Sequence, residues 1–199
     1  MISIGTPMVF RPTFLPLGDG QLCSKAMDDR SCFVTLLRMA ELLQNEALDV
    51  DLYLMGSTRE EISGAGAVTG TRAVAPDFCV AVDVTHGKTP DAPADRASII
   101  GGGPAVGIGP NMTRWMTRRM LDKADELGIP VQKEVMEGPT GTNGWYMQIC
   151  NEGIATSVVS LPLKYMHTPV EVLELEDIEQ VARLLAAFAK GLGEEGEPR

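Results

Sequence analysis

The sequence predicts an α/β fold, a mostly parallel or mixed sheet with helices on both faces. Three observations predict it. Short apolar runs of strand length alternate with longer stretches whose apolar residues return every three or four positions. The run Phe78 to Val84 (FCVAVDV) is apolar nearly throughout, as in a strand buried on both faces. The composition, 44% hydrophobic and 22% charged over 199 residues, suits a globular domain able to bury a core unaided.

The elements follow in chain order. The first two dozen residues read as short β segments at Ile2 to Ile4, Met8 to Phe10 and Phe14 to Leu15, with Gly18-Asp19-Gly20 as a turn. Asp28 to Asn45 is helical, with Phe33, Leu36, Leu37, Ala40 and Leu43 on its apolar face. Asp51 to Met55 (DLYLM) is a strand, Gly64 to Ala73 a short helix, and Phe78 to Val84 the buried strand. A Pro- and Gly-rich loop spans 87 to 104, and Ala105 to Ile108 is a strand. The helix Asn111 to Leu127 is stopped by Gly128 and Pro130. Val131 to Val135 and Ala155 to Leu161 are strands, with a short helix at Thr142 to Cys150 between them. The last helix, Ile178 to Leu192, turns Ile178, Val181, Leu184, Leu185 and Phe188 to one side, and the tail from 194 to 199 is expected to fray.

Charge and cysteine usage exclude several functions. A net charge of −10 leaves no basic face for nucleic acid. The one basic cluster, Arg114, Arg118, Arg119 and Lys123, is answered by Asp122, Asp125 and Glu126 on the same helix. Cys23, Cys32, Cys79 and Cys150 show no CxxC spacing, and the start lacks the pattern of a leader, which reads as a cytoplasmic chain with reduced thiols. No run is long enough to cross a membrane.

In open α/β sheets, chemistry collects beyond the carboxyl ends of strands. Acidic or imidazole groups stand at four such places: Asp28, the pair Glu60-Glu61, Asp83, and His167. Singly, each has an ordinary explanation: a helix cap, surface charge, a turn residue, a structural histidine. Together, carboxylates and imidazole are a ligand set for zinc, cobalt or manganese. Adjacent glutamates offer one side chain to a metal and one to an incoming water.

At these residues the chain resembles the M42 metallo-aminopeptidases, the glutamyl, deblocking and tetrahedral aminopeptidases. MDDRSCFVTLL, STREEISGAGA, VAVDVTHGKTPD, GGGPAVGIGPN, GPTGTNG and LPLKYMHTPVE occur in that family's order, from about Gly5 to Leu192. The resemblance implies a zinc-peptidase (phosphorylase/hydrolase-like) catalytic domain at residues 25–193, with residues 1–24 as a remnant of the family's inserted β-rich domain. It implies a two-metal aminopeptidase, with zinc or cobalt, that releases N-terminal residues from peptides. Asp28 matches the carboxylate that bridges both metals. Glu61 and His167 match ligands of one metal, and Asp83 a ligand of the other. Glu60 matches the general base and acid that takes the proton of the bridging water. Asp29 falls beside these ligands or caps the helix, Arg30 is expected to pair with a carboxylate, and His86 to support the site without ligating. Gly141, Thr142 and Asn143 border the substrate pocket. Homo-oligomers are expected from the family.

Two departures qualify the resemblance. The family has an upstream H-x-D motif, whereas the two histidines here are His86 and His167. The expectation is therefore a fold incomplete at its N-terminus, with one cation bound well at most and weak or no turnover. Asn143 stands where the family often has aspartate, which leaves the preferred N-terminal residue open. Two rival readings remain: a metal hydrolase of acylated amino acids or glycans, and a non-catalytic assembly or binding domain derived from the same fold.

Overall fold

The computed structural model describes residues 2–93 and 95–193, so the expected frayed tail lies outside the described residues. Elements in order are β1 (Leu15–Leu17), β2 (Gln21–Ser24), α1 (Met27–Leu43), α2 (Glu60–Ser63), α3 (Ala65–Val74), β3 (Phe78–His86), β4 (Ala105–Ile108), α4 (Arg114–Leu127), β5 (Gln132–Val135), α5 (Gly144–Met147), β6 (Ala155–Leu163), β7 (Glu171–Glu174) and α6 (Leu175–Lys190).

The main sheet is mixed, in the order β3-β6-β4-β5. Strands β3 and β6 run parallel over nine residues each, from Phe78 opposite Ala155 to His86 opposite Leu163. β4 is parallel to β5 and antiparallel to β6. Pro162 falls on β6 beyond its short pairing with β4, so its missing N–H costs that ladder nothing. A smaller antiparallel sheet, β1-β2-β7, joins the N-terminal hairpin to the segment before α6.

Successive residues of β6 serve opposite faces. Val159 packs with α1, α4 and α6 in a core that includes Leu43, Met116, Met120, Val181, Leu184 and Phe188. Val158 packs with Ala67, Cys79, Ala81, Met112 and Met147 under α3 and α5. Helices thus cover both faces, as the sequence predicts. Helix α4 ends where Gly128 takes a left-handed φ of 64° and its N–H caps Ala124 and Asp125. No described helix is long and apolar enough to cross a membrane.

Three expectations need correction. Ile2–Ile4 and Met8–Phe10 form no strand and stay exposed, because Pro7 and Pro12 interrupt the run and no described strand pairs with it. Residues 51–55 are likewise unpaired. On α1 the buried residues are Cys32, Thr35, Met39 and Leu43, while Phe33 and Leu37 face outward. The helix carries two apolar stripes, and periodicity alone does not say which one meets the core.

Candidate metal centre

The site forms where the start of α1 after β2, the start of α2 and the loop after β6 meet Asp83 of β3. Asp28 and Asp29 open α1 but keep non-helical backbone angles, and the peptide bond between them is cis. Glu60 and Glu61 open α2. Asp83 lies within β3, which continues to His86. His167 lies in the loop between β6 and β7.

The fold brings these residues together as two groups. In the first, His167 Nε2 stands 3.0 Å from Asp28 Oδ2 and 3.4 Å from Glu61 Oε2. In the second, ligand oxygens of Asp28, Asp29 and Asp83 lie within 4.8 Å of one another. Asp28 belongs to both. The first group opens to solvent, with the His167 side chain 67% exposed, whereas Asp83 in the second is buried.

Burial and crowding disfavour the ionised carboxylates. Burial pushes Asp28 up to about 7, with the negative charge of Glu61 adding to it and His167 opposing. Burial likewise lifts Asp29 to about 7 and Asp83 to about 9, Asp83 being raised further by Asp29. Glu60 is raised by burial first and by Glu61 second. Its charge also raises Asp29 and Asp83.

One residue that ties these loops together has no clear mark in the sequence. Glu171 is 2% exposed, and its carboxylate accepts the N–H groups of Met27 at 2.6 Å, Asp28 at 3.2 Å and His167 at 2.9 Å. It fastens the loop of Asp28 to the loop of His167. The PVE of LPLKYMHTPVE was its only sequence signal, and nothing local distinguishes that glutamate from a surface one. Backbone strain marks the same junctions: Ala26, Arg59 and His167 hold positive φ of 57°, 60° and 62° without being glycine. Such strain persists only where surroundings enforce it, and it gathers at functional sites.

Apart from Asp29, a member of the second group, the remaining expected residues fall outside the two groups. Asp29 Oδ1 accepts the Cys32 N–H at 3.3 Å, a capping bond across the kinked start of α1. Arg30 is exposed and makes no ion pair among the described residues, contrary to expectation, because it points out from the first turn of α1. His86 is exposed and acts on Glu134, which is held by the hydroxyls of Thr85 at 2.6 Å and Ser160 at 2.9 Å. Thr142 is buried in its own turn beyond Gly141, while Asn143 Nδ2 donates to Ser57 Oγ at 2.8 Å. Asn143 thereby braces the loop that leads into Glu60. The glycine run at 101–103 is anchored by buried Asp177, which accepts the N–H groups of Gly101 and Gly103.

The model of one family, the M42 glutamyl aminopeptidases, matches residues 1–184. The chain belongs to that family. Lysyl aminopeptidase of Pyrococcus furiosus is 34% identical over 98% of this chain and 55% of its own length. Among solved structures, an aminopeptidase from the archaeon Desulfurococcus kamchatkensis superposes with a TM-score of 0.85 at 33% identity, over 92% of this chain and 52% of that one. The TET1 peptidase of Pyrococcus horikoshii, which assembles into a tetrahedron or an octahedral shell, does so with a TM-score of 0.78 at 25% identity, over 92% and 54%. The chain therefore spans about half the length of the M42 relatives it matches.

Proposed function

We propose that this chain carries the proton-transferring and cation-binding residues of a two-metal aminopeptidase. The supporting observation is the pair of ligand groups sharing Asp28, with Glu60 next to the ligand Glu61 at the start of α2. The donor set fits divalent cations. Without them, the crowded carboxylates keep their place only by taking up protons, and two carboxylates with one imidazole suit zinc or cobalt. Asp28, Glu61 and His167 would hold one ion, and Asp28 with Asp83 the other. When bound, such ions polarise a carbonyl and lower the pKa of water.

The chain's own groups do the rest. Glu60 takes a proton from the attacking water onto its carboxylate and delivers it to the leaving amine nitrogen. Its raised pKa helps it retain the proton between those steps. Glu171 holds Asp28 and His167 in register through their backbone N–H groups. The acidic surroundings favour the free ammonium of a peptide N-terminus, which supports exopeptidase over endopeptidase action. The second group contains no imidazole, so we assign it the weaker affinity and the chain a slow turnover. Residues 1–24 fit the return from the family's inserted domain, and a cytoplasmic homo-oligomer fits the family.

The test combines calorimetric titration with zinc or cobalt and a panel of aminoacyl-nitroanilides, acylated amino acids and glycosides. One tight binding event is expected, with slow nitroanilide release that disappears on chelation and in Glu60→Gln. Absence of any cation binding, or preferential cleavage of the acyl or glycosyl substrates, would sink the reading. Two tight sites with fast turnover would overturn the weak second site.

A further inference from the structure

Asp83 has two hydroxyl-bearing neighbours on its own face of the main sheet. Side chains alternate along a strand, so Thr85 stands on the same face two residues further along β3. Across the parallel pair, Ser160 of β6 lies in register with Asp83. On this face the register partners Ala81 and Val158 pack with Met136. Neither hydroxyl proton goes to Asp83. Thr85 Oγ1 donates to Glu134 Oε1 at 2.6 Å, and Ser160 Oγ donates to Glu134 Oε2 at 2.9 Å. Glu134 comes from β5, two residues before Met136 and therefore on the same face. Between β5 and β6, β4 turns only Ala105 and Gly107 to this side, which leaves the carboxylate room to reach across. Asp83 accepts the Val84 N–H at 2.8 Å and no other hydrogen bond from a described residue. Glu134 joins neither ligand group. Burial raises its pKa, while the two hydroxyls and exposed His86 oppose the rise.

Resting on the two-metal reading, we infer that Glu134 is a positioning residue for Asp83: it draws both hydroxyl protons to itself and keeps the Asp83 carboxylate open for the second cation. Each hydroxyl has a single proton to give, and a buried one takes an acceptor. Ser160 is 0% and Thr85 6% exposed, so bulk water is not at hand for either. With Glu134 removed, the charged acceptor left on this face is Asp83, one strand spacing of about 4.8 Å from Ser160. A hydroxyl donating to Asp83 occupies a lone pair and lowers the charge offered to a metal ion. A tie needed only for the sheet would be as well made by apolar side chains at all three positions, without the burial of charge.

The test is manganese binding to the full chain loaded with one equivalent of zinc, followed through the paramagnetic resonance of free aqueous manganese. The zinc occupies the group with His167, and its tight binding checks that each variant is folded. Glu134→Ala should weaken manganese binding about tenfold or more, the usual scale for partners of metal ligands. Glu134→Gln, with one acceptor oxygen in place of two, should fall between that variant and the parent. Thr85→Val/Ser160→Ala, and the triple variant that adds Glu134→Ala, should bind manganese as the parent does, since no hydroxyl is left to turn toward Asp83. A structural tie predicts the reverse order, with the triple variant weakest. Equal manganese binding by the parent and Glu134→Ala overturns the inference and leaves the two-metal reading standing. So does loss of the tight zinc event in Glu134→Ala, or a folded triple variant that binds manganese no better than Glu134→Ala. Where the triple variant loses its tight zinc event, the Thr85→Val/Ser160→Ala pair decides: binding like the parent's upholds the inference, and weakened binding overturns it. A parent that binds no manganese beside zinc fails at the two-metal reading itself and takes the inference with it.

Discussion

The two ligand groups share Asp28 and little else. The group of Asp28, Glu61 and His167 mixes carboxylate with imidazole and opens to solvent. The group of Asp28, Asp29 and Asp83 is all carboxylate, and Asp83 at its base is buried. The first is fastened by Glu171, which reaches the backbone of both Asp28 and His167. The second has its own local anchors, Cys32 N–H on Asp29 and Val84 N–H on Asp83. One half is held by long-range ties, and the other is a cluster of acids that burial drives toward the protonated form. Four perturbations separate them.

The largest effect belongs to Glu171→Ala. It strands three N–H groups, at about 1–3 kcal/mol for each one left unsatisfied. A loss of about 3–5 kcal/mol of stability is expected in chemical denaturation, with the first site disordered. Glu171→Gln keeps an acceptor oxygen and should recover part of the stability. Equal stability of the alanine variant and the parent would mean that the fastening is incidental. Next is His167→Ala, which removes the only imidazole of either group. Zinc affinity at the tight site should fall about 100-fold or more by calorimetry, since even outer partners of ligands are worth 10–100-fold. Asp83→Asn should leave that event nearly unchanged. If the two variants weaken the same event equally, the division into two groups is wrong.

Proton linkage distinguishes the halves without added ligand. Asp28, Asp29 and Asp83 have folded pKa values raised above the ordinary 3.8, to about 7, 7 and 9. A raised carboxyl favours the folded state while protonated. That contribution is complete below about pH 4 and is lost as pH rises through 7 and then 9. In chelator, the thermal midpoint should therefore fall between pH 5 and pH 9, and saturating zinc should flatten the decline. Asp83→Asn should reduce the metal-free fall above pH 7 by about 1–2 kcal/mol. A flat profile for the metal-free parent would sharpen the comparison against us, by showing the carboxylates to be better solvated than their burial implies.

The fold class and the motifs of the candidate site were legible in the sequence, and several pairings of the scaffold were not. Asp28, Glu60, Glu61, Asp83 and His167 sit in short motifs, and the fold sets Asp28, Glu61 and His167 within ligand distance. Glu171 was illegible because its role is to accept N–H groups 143 and 144 positions away. β7 was missed because EVLE runs straight into α6, and only pairing with β2 makes it a strand. At Asp51 to Met55 the local signal was right and the pairing was lacking: propensity names a strand, but a ladder needs a neighbour. On α1, Phe33 and Cys32 are equally plausible core residues by period, and tertiary packing chose Cys32.

The smallest expected effect is at Arg30. It adjoins Asp29 in sequence, and a positive charge so near the buried acids would be expected to lower their pKa values and to compete with a cation. The geometry argues otherwise. Arg30 is exposed, forms no ion pair among the described residues, and does not appear among the causes that shift Asp28, Asp29 or Asp83. Its charge faces water, where screening acts within about 8–10 Å. Arg30→Ala should change stability by less than about 0.5 kcal/mol and leave zinc affinity unchanged between low and moderate salt. Tighter zinc binding in the variant, fading as salt is added, would show that the pocket feels the guanidinium. The acid-rich half would then be partly neutralised from outside, and the contrast between the two groups would narrow.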